Sequence, residues 1–146
     1  MCKINLLLAT LFFTITVYSQ TENEQITTVL NHYIEGTANG QPERLKKAFH
    51  EDFNLYFVKN NELEIWSGKH YISNIKPGVI NDRKGKIISI DQEGDAAMAK
   101  IEIKMPRRNL TFTDYLLLLK LENKWKIIHK SFSKRENEIN EAINQF

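Results

Sequence analysis

The sequence predicts a single α+β domain in which three helices pack on a curved, mostly antiparallel sheet. Three observations carry this reading. Between Thr21 and Lys76 the apolar residues recur mainly at helical spacing, broken by one hairpin-like stretch. From Gly85 onward, four β-branched and aromatic segments follow one another across short polar turns. Within the third of these, Tyr115-Leu116-Leu117-Leu118-Leu119 is apolar on both parities, as in a strand whose two faces are both covered.

The elements follow in order. Thr21-Glu22-Asn23-Glu24 has capping-box spacing, with a hydroxyl at the cap and a carboxylate three residues on. Ile26, Val29, Leu30, Tyr33, Ile34 and Thr37 then form one face of an amphipathic helix. Asn39-Gly40 stops it, because glycine accepts the left-handed backbone of a helix end. Pro42 opens a short second helix, with Leu45, Ala48 and Phe49 inward. Phe53 to Lys59 and Leu63 to Trp66 read as strands joined through Asn60-Asn61. Ser67 caps a third helix that runs to about Lys76, before Pro77-Gly78. The remaining strands are Gly85 to Gln92, Ala96 to Met105, Leu110 to Leu121 and Lys124 to Ser133, forming a meander. Three helices cover one sheet face only. The other face is expected to meet a second subunit, making a homodimer, or the C-terminal stripe Ile139, Ala142, Ile143 and Phe146.

The N-terminus reads as something other than fold. Lys3 precedes an uncharged run of 14 residues, Ile4 to Val17, which falls short of the ~20 that span a bilayer. With Val17-Tyr18-Ser19 behind it, residues 1–19 read as a cleaved secretory signal, so the chain is expected in the periplasm or outside the cell. No stable membrane span is expected. Cys2 leaves with the signal, and residues 20–146 form one cysteine-free domain. The whole chain carries a formal charge of +2, which gives no electrostatic case for nucleic acid.

The element order resembles the nuclear-transport-factor-2-like superfamily. The likeness sharpens in Asp114-Tyr115-Leu116, Leu119-Lys120, Trp125-Lys126-Ile127 and Lys130-Ser131-Phe132, which look like the putative lumazine-binding, SnoaL-like branch. It spans about residues 24–134 and implies a cone of three helices wrapped in a curved sheet. It does not choose a function, because one fold hosts many.

The sequence contains no phosphate loop, no Gly-x-Ser-x-Gly elbow and no cysteine nucleophile. His32, His50, His70 and His129 lack metal-ligand spacing, so neither a metal nor a cofactor is expected. Asp114 is the most informative residue, a carboxylate among Phe112, Leu116 and Leu118 on the most apolar strand. Burial there requires a partner or a proton. Tyr33 on the first helix, or His50, would supply the partner. Ketosteroid isomerases, to which the resemblance leads, place a tyrosine and a protonated aspartate at these two positions, but their general base would fall at Phe57. Steroid isomerisation is therefore not expected. The candidate catalytic residues are His50 and Asp114; the candidate ligand contacts are Tyr33, Trp66, Tyr71, Asp114 and Phe132.

Two functional classes fit. One is an exported binding or accessory protein whose apolar pocket takes a small apolar or carbonyl-bearing molecule. The other is an isomerase- or cyclase-like enzyme using acid–base chemistry in that pocket. A dimerising structural domain with a filled cone is a third reading. If Asp114 lines a pocket, Asp114→Asn keeps the fold and weakens binding; if it accepts hydrogen bonds as a carboxylate, the substitution costs stability.

Overall fold

A computed structural model describes residues 20–137, so the signal segment and the C-terminal stripe lie outside the described residues. The element order is α1 (Glu22–Ala38), α2 (Pro42–Ala48), β1 (Phe49–Lys59), β2 (Glu62–Ser67), α3 (Gly68–Ser73), β3 (Lys84–Glu93), β4 (Ala96–Met105), β5 (Leu110–Leu121) and β6 (Lys124–Glu136). One six-stranded sheet has the order β2-β1-β6-β5-β4-β3. Every neighbouring pair is antiparallel except β1 with β6, which is parallel. The sheet is therefore a meander of β3 to β6 extended at one edge by the β1–β2 hairpin. The three-helix, mostly antiparallel α+β fold expected from the sequence is the one observed.

Local chemistry accounts for the element ends. Glu24 N–H donates to Thr21 Oγ1 at 3.3 Å while Glu24 Oε2 accepts from Thr21 N–H at 2.8 Å, closing the capping box. Asn60 and Asn61 both have positive φ, as a two-residue hairpin turn between twisted strands requires. Gly40 has a φ of +59°, and a Cβ there would lie 2.5 Å from Lys76 O. Its carbonyl accepts from Gly78 N–H at 2.8 Å, so only glycine lets the loop after α3 close on the end of α1. Asn81 continues that closure: its N–H donates to Ala38 O at 2.9 Å and its Nδ2 to Thr37 O at 2.7 Å.

The last strand runs to Glu136 rather than Ser133, and two further boundaries differ from expectation. The third helix ends at Ser73 rather than near Lys76, because Ile75 N–H turns back to Ile72 O and a residue before proline avoids helical backbone. The first strand begins at Phe49 rather than Phe53, so His50 sits on β1.

The core lies between α1, α2 and the inner sheet face. Ile26, Leu30, Tyr33 and Leu45 meet Phe53, Ile101, Ile103, Leu116, Leu118 and Ile127, all essentially inaccessible to solvent. The outer face is different. Along β5 the even positions from Asp114 to Leu118 are buried, while Tyr115 and Leu117 are each 44% exposed and Met98 on β4 is 49% exposed. Among the described residues no helix or strand packs on that apolar row, and only Lys100 Nζ reaches over it, 5.8 Å from the Tyr115 ring centre.

Candidate functional site

The inner face of β5 and β6 carries the chemistry, and a bulge decides which side chains reach it. Leu117 pairs with His129 but Leu118 pairs with Ile127, so Ile128 is an extra residue in β6. Strict alternation from Ile127 would turn His129 and Ser131 inward. The bulge instead turns Lys130 and Phe132 inward, Lys130 opposite Leu116 and Phe132 opposite Asp114.

α1 places Tyr33 over this row. Its hydroxyl donates to Asp114 Oδ2 at 2.5 Å and accepts from Lys130 Nζ at 2.9 Å. Lys130 Nζ also lies 2.5 Å from Asp114 Oδ1, an ion pair whose angles fall outside hydrogen-bond geometry. Tyr33, Asp114 and Lys130 are 0%, 1% and 3% exposed. Burial pulls the Lys130 ammonium down to about 8, against the opposing pull of Asp114. Burial, then Asp114, pushes the Tyr33 hydroxyl well above its usual range, so it remains a donor.

Arg83 completes the cluster. The Asn81 closure sets its backbone, and Arg83 N–H donates to Asn81 Oδ1 at 3.1 Å. Burial pulls its guanidinium down, but Tyr33, Tyr71 and Asp114 together outweigh that and leave it raised. Tyr71, from α3, has its hydroxyl pushed up to about 12 by burial. Arg83 Nε is buried and has no hydrogen-bond partner. An orphaned buried donor costs about 1–3 kcal/mol, and more when it is charged.

Beside the charges stands a wall of half-buried rings. Phe132 stacks on Phe57 at 5.2 Å and 19°, Phe112 meets Phe132 at 5.5 Å, and Trp66 meets Phe57 edge-on at 5.2 Å. Lys130 Nζ lies 5.5 Å from the Phe132 ring centre, which joins the wall to the cluster. The position that would carry an isomerase's base thus holds a stacking ring.

His50 lies elsewhere. It lines a pocket of about 620 Å³ between α2 and α3, with Lys46, Lys69, Phe49, Phe53, Ile72 and Ile75. Its Nδ1 accepts from Asp52 N–H at 3.2 Å, which leaves the proton of a neutral ring on Nε2. Phe49 lines that pocket and also meets Tyr33 edge-on at 5.5 Å, so aromatic rings stand between the pocket and the buried cluster. The partners of Asp114 are Tyr33 and Lys130, not His50.

The structure therefore gathers Tyr33, Tyr71, Asp114, Trp66 and Phe132 on the inner face and leaves His50 apart. Sequence reasoning missed Lys130 and Arg83. In the sequence Lys130 stands out only within the motif Lys130-Ser131-Phe132, and the adjacent Ile127-Ile128 pair is the one hint of a bulge. Arg83 sits in a loop, where side-chain direction follows no period. No grouping of three or more metal-ligating side chains occurs among the described residues.

Comparison with known proteins adds the following. The family profile described as "Putative lumazine-binding" matches residues 21–133. A protein from Cladobotryum sp., aldolase FrzH, is 29% identical over 105 residues, covering 68% of this chain and 81% of that protein. A nuclear-transport-factor-2-like protein of unknown function from Methylobacillus flagellatus is 29% identical in sequence. It superposes with a TM-score of 0.69 over 82% of this chain and 96% of its own. Another from Shewanella baltica is 28% identical, with a TM-score of 0.69, covering 78% and 94%.

Proposed function

This chain belongs to the putative lumazine-binding family of the nuclear-transport-factor-2-like fold, and from that premise we propose that it binds a small molecule bearing a carboxylate. One observation carries the reading. Arg83 and Lys130 set two cations against the single anion Asp114, and Arg83 Nε has no partner. The cluster thus carries one more positive charge than negative, and the half-buried Arg83, with its Nε unpartnered, is where a ligand carboxylate can answer it. The half-buried rings of Phe57, Trp66, Phe112 and Phe132 take the apolar body.

The test is calorimetric titration with a panel of aromatic carboxylates, together with lumazine after the family's description. Arg83→Gln removes the unanswered charge, so it keeps or slightly raises stability. It weakens carboxylate binding roughly tenfold or more, about 1.4 kcal/mol. Equal affinity in parent and variant overturns this assignment. The alternative, an acid–base enzyme, draws support from the aldolase relative and from Tyr33 and Lys130 being in contact.

Two further proposals concern context. The apolar outer row of Tyr115, Leu117 and Met98 packs against a second copy, burying on the order of 1,200–2,000 Å². Leu117→Lys with Tyr115→Glu then yields a monomer in sedimentation, whereas a parent that is monomeric at high micromolar concentration rules the dimer out. The uncharged segment before Ser19 directs export to the periplasm or medium, with a mature start near Gln20. N-terminal sequencing of protein from its native host checks this, and recovery of Met1 overturns it.

A further inference from the structure

The geometry points to Lys130 as a nucleophilic amine that condenses with the ketone of a 2-oxo acid to form an imine. The inference deepens the carboxylate-binding reading and rests on it. Arg83 would hold the carboxylate, and in a 2-oxo acid the carbonyl carbon is bonded directly to that group. A carboxylate fixed beside the cluster therefore brings an electrophilic carbon towards Lys130, the one buried lysine among the described residues. Lys130 is 3% exposed, whereas an ordinary surface lysine is strongly hydrated and protonated. Its surroundings are those an amine nucleophile needs. From β5, Asp114 Oδ1 lies 2.5 Å from Nζ and can take a proton. From α1, the Tyr33 hydroxyl lies 2.9 Å away and can give one to the carbonyl oxygen. Of the other titratable groups facing the cluster, Arg83 favours the uncharged amine, against Asp114, and Tyr71 faces Arg83, Asp114 and Tyr33. Burial, which holds the ammonium at about 8, keeps a reactive fraction of free amine near neutral pH.

The step balances. The ammonium yields one proton to Asp114, and the nitrogen lone pair forms the new C–N bond as the carbonyl π pair moves to oxygen. Tyr33 protonates that oxygen and is restored by a second proton from nitrogen. The proton on Asp114 leaves with the hydroxyl as water when C=N forms. Of three ammonium protons, one remains on the protonated imine and two depart in the water, so charge is conserved.

The experiment uses the full chain, phenylpyruvate and cyanoborohydride, with peptide mapping of the reduced adduct. The expected result is one adduct on Lys130, formed roughly tenfold or more faster than on any exposed lysine, with a rate that rises as pH passes about 8. Lys130→Arg keeps the charge beside Asp114 and abolishes that adduct; Tyr33→Phe slows it. Adducts spread over surface lysines with Lys130 unmodified in folded parent protein overturn the proposal, whether or not the variants fold. 3-Phenylpropanoate, which has ring and carboxylate but no ketone, separates the two claims. If it binds through Arg83 while Lys130 is not trapped, the imine falls and the binding site stands; if it does not bind and nothing is trapped, both fall.

Discussion

Replacing Asp114 with asparagine is expected to destabilise the fold by about 1–3 kcal/mol at neutral pH, because Lys130 loses its carboxylate and must either stay charged while buried or give up its proton. From sequence alone the substitution had two possible outcomes, and the contact with Lys130 selects the destabilising one. The amide keeps the shape and can still accept from Tyr33, so the loss comes from charge and not from a cavity. It follows that the loss shrinks as pH rises above neutral, since Lys130 escapes the penalty by shedding its proton. Adding Lys130→Met should restore most of the stability, because exchanging a whole buried pair for apolar atoms is often neutral. Urea denaturation of parent, single and double variants makes a double-mutant cycle. A single variant that unfolds at the same urea concentration as the parent would refute the ion-pair account.

How much of this could be seen beforehand differs between fold and site. Elements with a local cause were legible: the capping box at Thr21, the Asn60-Asn61 turn and the apolar runs of β4 and β5 depend on residues a few positions apart. The Tyr33–Asp114 neighbourhood was legible because each falls on the apolar face of its own element. Lys130 was not. Which way it points depends on Ile128 being looped out between two paired strands, a property of the register with β5 and not of β6 alone. Arg83 was hidden for a related reason. Its place is set by Asn81 reaching the end of α1 across 44 residues of chain, a closure that no periodicity records. His50 stands apart because β1 begins at Phe49 and not at Phe53, which puts it on a strand that lines the pocket between α2 and α3. The outer row of Tyr115 and Leu117 read as doubly covered strand, and the C-terminal stripe, one of the two covers the sequence suggested, lies outside the described residues.

Stability should also pass through a maximum at mildly alkaline pH, and the buried cluster sets its position. In the folded chain Lys130 releases its proton at about 8, below its usual 10.5. Between these values the unfolded chain holds a proton that the folded chain has lost. Unfolding then takes up a proton, so stability rises with pH across this window, by on the order of 2–3 kcal/mol. The tyrosines act in the opposite sense. Tyr71 ionises at about 12 in the fold against its usual 10.0, and Tyr33 is shifted upward as well. Above about pH 10 the unfolded chain ionises first, and stability falls as pH climbs towards 12. The two effects place the maximum at about pH 9–10. Urea midpoints measured from pH 7 to 11 at constant ionic strength check this, and Lys130→Met should remove the rise while sparing the fall. A parent chain whose stability declines steadily from pH 7 would show that Lys130 keeps its proton in the fold, and that its contact with Asp114 outweighs burial.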